Sequence, residues 1–303
     1  MSKRTKVWLW ISTSVIVTGL ILFGVVMTMA GWDFTKLNTV KTVTNEYAFD
    51  EEIRNIQVTT KTTNVVFIPT QEECVRVVCK EQEKLRHSVS VDNGTLVICV
   101  EDTRQWQDYI GVNFERTRIT VYLPEAIYGL ISVQTGTGDV NCFVSADKIQ
   151  IETETGNIFV EKIHAGDMEL TVSTGTISVI NVTCDGEIQA DTATGGMNIT
   201  NVHCGNFSSS GSTGDVILER LIAEEDIFVR RNTGDVKFDR CDANTLIRVE
   251  ANTGDVKGSF LSDKMFTVNT DTGAIDVPES VEGNAKCQIS TGTGNVKITI
   301  HYE

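Results

Sequence analysis

Asn232-Thr233-Gly234-Asp235-Val236-Lys237-Phe238 and Asn252-Thr253-Gly254-Asp255-Val256-Lys257-Gly258 are nearly one heptapeptide written twice, twenty residues apart. Outward from this pair, a Thr-Gly dipeptide with an apolar residue two places after the glycine recurs nine times. Its glycines are Gly138, Gly156, Gly175, Gly195, Gly214, Gly234, Gly254, Gly273 and Gly294, at steps of 18, 19, 20, 19, 20, 20, 19 and 21 residues. The apolar residues that follow are Val140, Ile158, Ile177, Met197, Val216, Val236, Val256, Ile275 and Val296. A fixed period of this length is the mark of a repeat architecture.

Each unit has one inner grammar. Glycine reaches positive φ without steric cost, which suits a tight corner. Asp or Asn after it is expected to bond its own backbone and hold the turn. A short alternating strand follows, as in Val236-Lys237-Phe238, then a polar corner. A second alternating strand leads to the next Thr-Gly, as with Ile227/Val229 and Phe266/Val268. Period-two alternation predicts half-buried strands. A twenty-residue unit cannot bury its apolar face alone, so the units must stack. The expected fold is all-β, a parallel β-solenoid (β-helix-like) of about nine or more coils. At roughly 4.8 Å per coil, nine coils make a rod of roughly 40 Å, with a threonine ladder beside the glycines.

Five segments follow along the 303 residues. Residues 1–6 are a basic segment carrying Lys3, Arg4 and Lys6, expected in the cytoplasm. Residues 7–30 are uncharged and apolar, long enough for a transmembrane helix across about 30 Å. The competing reading is a cleaved secretory signal cut after Ala30, but a signal's apolar core is usually about 7–15 residues. Either way the rest of the chain lies outside the cytoplasm. Residues 31–45 read as a polar stalk, 46–134 as an irregular β cap or first coils, and 135–303 as the regular solenoid. In the irregular part, Thr63-Asn64-Val65 mimics the repeat with Asn in the glycine place, and Asn93-Gly94 reads as a hairpin or a corner. Residues 101–117, with Trp106, read as an inserted loop.

At this point the residues resemble a known family. Arg118-Ile-Thr-Val-Tyr-Leu-Pro124, then Ile131-Ser-Val-Gln-Thr-Gly-Thr-Gly-Asp-Val140, then recurring Thr-Gly-Asp-Val, is similar to the bacterial β-strand-repeat candidate-adhesin domain family of unknown function. The resemblance covers residues 46–303 and implies a membrane-anchored or envelope-exposed β-solenoid. It brings no catalytic residues.

The formal net charge of −15 repels phosphate and argues against nucleic acid as a partner. The eight cysteines are spread widely and form no Cys-x-x-Cys pair. Buried free thiols are favoured over disulfides. Cys184 and Cys204 both lie nine residues after their glycines and should stack on adjacent coils. His87, His164, His203 and His301 share no ligand spacing, and each is expected at the surface. Asp215, Asp235 and Asp255 hold one column after the glycine, and such carboxylates offer oxygen ligands to Ca²⁺. Thr176, Gly196 and Ala274 break that column, which favours a turn-holding role. No catalytic set and no cofactor motif appears. The expectation is a non-catalytic binding or structural module at the cell membrane, meeting an envelope protein or glycan. The second reading is an envelope-stress accessory working through a membrane partner, and the third a carbohydrate-active enzyme.

Overall fold

The structure is a computed structural model and describes residues 2–34, 38, 40–110, 115–283 and 285–302. Parts of the segment read as a stalk (35–37 and 39) and of the loop near Trp106 (111–114) lie outside the described residues.

The apolar run forms helix α1 (Lys3–Ala30). Ser2 caps its start by accepting from the Thr5 main-chain N–H, and Gly31 ends it in the left-handed conformation at φ 69°. The helix is long and apolar enough to cross a membrane, and most of its large side chains face outward. A buried helix of the core would hide them.

Strands fill the rest. They begin with β1 (Thr42–Phe49), which starts inside the segment read as a stalk. β2 (Asn55–Thr60), β3 (Asn64–Thr70), β4 (Val75–Gln82), β5 (Leu85–Asp92), β6 (Thr95–Asp102) and β7 (Arg118–Pro124) make the irregular half. The regular half opens with β8 (Tyr128–Thr137), β9 (Val140–Cys142), β10 (Ala146–Thr155), β11 (Ile158–Glu161) and β12 (His164–Thr174). The long strands β13 (Ile177–Thr194) and β14 (Met197–Thr213) run through the corner opposite the glycines. The rest are β15 (Val216–Ala223), β16 (Asp226–Thr233), β17 (Val236–Ala243), β18 (Leu246–Thr253), β19 (Val256–Phe260), β20 (Met265–Thr272), β21 (Ile275–Asp276), β22 (Lys286–Thr293) and β23 (Val296–Ile300).

Parallel pairing arranges these into two long rows. One runs β6, β2, β8, β10, β12, the second halves of β13 and β14, β16, β18, β22, β20. The other runs β7, β3, β9, β11, the first halves of β13 and β14, β15, β17, β19, β23, β21. The expected parallel β-solenoid is therefore the fold. Its N-terminal end is closed by antiparallel strands: β5 on β6, and β4 with β1 on β7. The Asn93-Gly94 hairpin forms as expected, both residues at positive φ.

The coils do not all stack in chain order. β22–β23, last in the chain, sits between β18–β19 and β20–β21. At the other end β2–β3 sits between β6–β7 and β8–β9. The nine threonines still form one ladder, in the order Thr137, Thr155, Thr174, Thr194, Thr213, Thr233, Thr253, Thr293, Thr272.

The core is a narrow strip between the rows. Val140, Ile158, Ile177, Met197, Val216, Val236, Val256 and Val296 are fully buried, as their place after the glycine predicted. Ile275 is the exception at 47% exposed, because its coil ends the stack and has a neighbour on one side. The corner opposite the glycines carries a buried column of small residues: Ala146, Ala165, Cys184, Cys204, Ala223 and Ala243. Cys184 and Cys204 stack as expected and occupy places where other coils have alanine. They act as small apolar residues there.

Candidate functional site

The acidic column is a lattice of backbone caps. Asp215 Oδ1 accepts from the Asp235 main-chain N–H at 2.9 Å, and Asp235 Oδ1 from that of Asp255 at 2.9 Å. Asp255 Oδ1 accepts from the Asn295 main-chain N–H at 2.8 Å, and Asn295 Oδ1 from that of Ala274 at 3.0 Å. Asn64, Asp139 and Asn157 make the same bond in the first coils. The sequence reading had each Asp bonding its own turn; instead each bonds the next coil. One carboxylate oxygen of Asp215, Asp235 and Asp255 is thereby engaged. Among the described residues no group of three His, Cys, Asp or Glu side chains converges as a metal site would.

The glycines serve the same lattice. All but Gly138 have φ between 131° and 159°. A Cβ on Gly195 would overlap the carbonyl oxygen of Gly175, the glycine one coil away. The column therefore needs glycine twice, for φ and for the approach of its neighbour. Thr63-Asn64 corrects the sequence reading: Thr63 lies against Gly138, and Asn64 takes the Asp position, not the glycine one.

A groove of about 680 Å³ crosses the outer face of the first row beside these corners. Asp191, Ser210, Arg230, Asn232, Glu250 and Asn252 line it from successive coils. Arg248 donates to Glu250 Oε1, Asn252 Nδ2 to Asn232 Oδ1 at 2.5 Å, and the Ser210 main-chain N–H to Asp191 Oδ1 at 2.8 Å. The lining is hydroxyl, amide and charge of both signs, on strands paired in one parallel ladder. Such a surface suits hydrogen bonding to a polar partner.

Arg231 also lines this groove, yet it sits in the buried column of its strand at 2% exposed. Its register neighbours Gly211 and Ala251 are small, and the guanidinium fills the space left by Gly211. Nη2 donates to Ser209 Oγ at 3.0 Å, while Nε and Nη1 find no hydrogen-bond partner among the described residues. Burial lowers its pKa from the usual arginine value, opposed by Asp191. No repeat signal foretold a charge at this place.

A second buried group was also missed. His87 was expected at the surface, but it is 3% exposed under the N-terminal cap. Glu81 is fully buried and accepts from Asn45 Nδ2, the His87 main-chain N–H and His87 Nδ1–H, each at 2.7 Å. His87 Nε2 lies 2.8 Å from the Thr60 hydroxyl. The order hydroxyl, imidazole, carboxylate resembles a nucleophile relay. Thr60 is itself 5% exposed, so no substrate face is open and the group ties β1, β2, β4 and β5 together. The other three histidines are exposed, as expected.

Six cysteines are buried, and all eight are free thiols. Burial pushes the Cys184 thiol up to about 11 and the Cys204 thiol up to about 12.

The Toastrack DUF4097 family model matches residues 53–301. None of the curated proteins is a significant match. Among solved structures, a candidate adhesin from Bacteroides fragilis is similar at 14% identity and TM-score 0.51, covering 86% of this chain and 97% of its own. A candidate lipid-binding protein from Parabacteroides distasonis is similar at 13% identity and TM-score 0.52, covering 86% and 98%. At these identities the likeness is one of fold.

Proposed function

This chain belongs to the Toastrack DUF4097 family, and from that premise we propose that it is a non-catalytic binding module held at the cell membrane by α1, with the solenoid outside the cytoplasm. The observation that carries the reading is the polar groove on the first row, built from side chains of successive coils. Adhesin and lipid-binding descriptions of similar folds support binding as the general role. Lys3, Arg4 and Lys6 in the first turns of α1, ahead of its uncharged stretch, support a cytoplasmic N-terminus. The partner is an envelope protein or glycan that meets hydroxyl, amide and charged groups.

Two measurements test this. Protease added to intact cells should degrade the solenoid and spare an N-terminal tag; the reverse pattern overturns the orientation. A photo-crosslinking residue at Asn232 in the full chain should capture an envelope component in intact cells. The same residue at Lys237, on the second row, is the control, and equal capture overturns the groove as the binding face.

A further inference from the structure

The far end of the stack is an unfinished sheet. β20 pairs with β22 and, among the described residues, with no other strand. Met265 N–H bonds to Ala285 on the β22 side, so by strand alternation the main-chain groups of Phe266, Val268 and Thr270 face the open side. At Phe266 that side is already occupied. The Ser280 hydroxyl accepts from Phe266 N–H at 2.8 Å and donates to Phe266 C=O at 3.1 Å, standing in for one rung of an absent strand. Val281 N–H bonds Lys264 C=O beside it. Beyond that rung, among the described residues, no strand pairs with the edge.

The apolar side chains at this end are also short of cover. Phe266 and Val268 are half-buried, while their register counterparts Cys287 and Ile289 are buried. Ile275 and Val281 are exposed at 47% and 40%. Around the edge lie Asp271, Glu279 and Glu282, all exposed. No ion pair involving them occurs among the described residues. A second copy of this end would bring these carboxylates against their like, which is destabilising between paired strands.

We propose that the open edge of β20 receives an extended segment of a partner protein as an added strand, with alternate apolar and Lys or Arg residues. Its main chain would continue the ladder at Val268 and Thr270. Its apolar residues would cover Phe266 and Val268, and its cations would meet Asp271, Glu279 and Glu282. This names a partner class for the binding-module reading and rests on it. The two fail separately, since the groove is tested at Asn232 and this edge at Val268.

The probe is a fluorescein-labelled eight-residue peptide alternating Lys and Val, titrated onto the full chain in an uncharged detergent. A Glu/Val peptide is the control. Val268→Pro deletes one outward N–H and leaves the bonds to β22 in place, as proline is tolerated on an edge. Asp271→Lys reverses one charge, and Asp147→Lys does so at a remote exposed site. The expected result is saturable binding of the Lys/Val peptide, at least tenfold weaker in Val268→Pro and Asp271→Lys and unchanged in Asp147→Lys. Equal affinity in Val268→Pro, equal loss in Asp147→Lys, absence of saturable binding, or self-association of the chain through this edge overturns the proposal. Should Val268→Pro lower the melting temperature, Asp271→Lys decides alone, and unaltered affinity overturns it.

Discussion

At Gly195 the backbone has φ 141°, and the space where a Cβ would stand belongs to the Gly175 carbonyl. Gly195→Ala should therefore cost about 3 kcal/mol, from the strained backbone and the lost approach of two coils. Chemical denaturation would show this as a fall in midpoint. The next residue in each unit behaves differently. Asp235 holds Asp255 through an oxygen, so Asp235→Asn keeps the acceptor and Asp235→Ala loses it. Alanine should cost about 1 kcal/mol and asparagine much less. With that oxygen engaged, added Ca²⁺ should leave the melting temperature unchanged, and calorimetry should register no binding heat. Thiols offer a third check at this scale. Burial raises the Cys142, Cys184, Cys204, Cys241 and Cys287 thiols to about 11 or 12, so at pH 8 they are protonated and shielded. A maleimide should label Cys74 and Cys99 first in the native chain and reach the other six only on unfolding.

The strand is the scale at which Arg231 is understood. On β16 the inward residues are Ile227, Val229 and Arg231, so the alternation that buries two aliphatic side chains buries a guanidinium third. Gly211 and Ala251 on the flanking strands give it room, and Ser209 gives it one bond. A buried charge with unmet donors is destabilising, and an apolar side chain of similar length removes that penalty. Arg231→Met should raise stability by about 1–2 kcal/mol, measurable as a higher melting temperature. An unchanged or lower value would overturn the reading of Arg231 as an uncompensated buried charge. The cap group differs because its members satisfy one another. Removing Glu81 would strand His87 and Asn45 together, so Glu81→Leu should destabilise where Arg231→Met does not.

Across the whole molecule, the order of coils sets which parts depend on which. β22–β23 holds β20–β21 on the stack, although it follows it in the chain. A chain ending after residue 285 would leave β20 without its partner, and residues 265–285 should lose their hydrogen-exchange protection. A chain ending after Phe260 would instead leave β18–β19 as a plain end and keep the protection of earlier coils. Pro278 is compatible with this arrangement. An interior coil must offer N–H groups along both rows, and β21 stops after two residues with Pro278 close behind. β23 runs five residues and matches all five of β19. The shorter coil fits at the end of the stack, where half a ladder is enough.

The sequence by itself determined the corners, the threonine ladder, the inward side of each strand and the apolar helix at the start. Those features are local: a glycine, a two-residue alternation and a fixed period each report on their own neighbourhood. Only the tertiary structure decided which coil lies against which, because the nine Thr-Gly coils carry the same corner in the same register and many pairings satisfy the pattern equally. It also decided what the side chains after each glycine bond to, since an Asp reaches its own turn and the next coil with equal ease on paper. Thr60, Glu81 and His87 meet only because an antiparallel cap folds over the first coils, and no spacing along the chain records that closure.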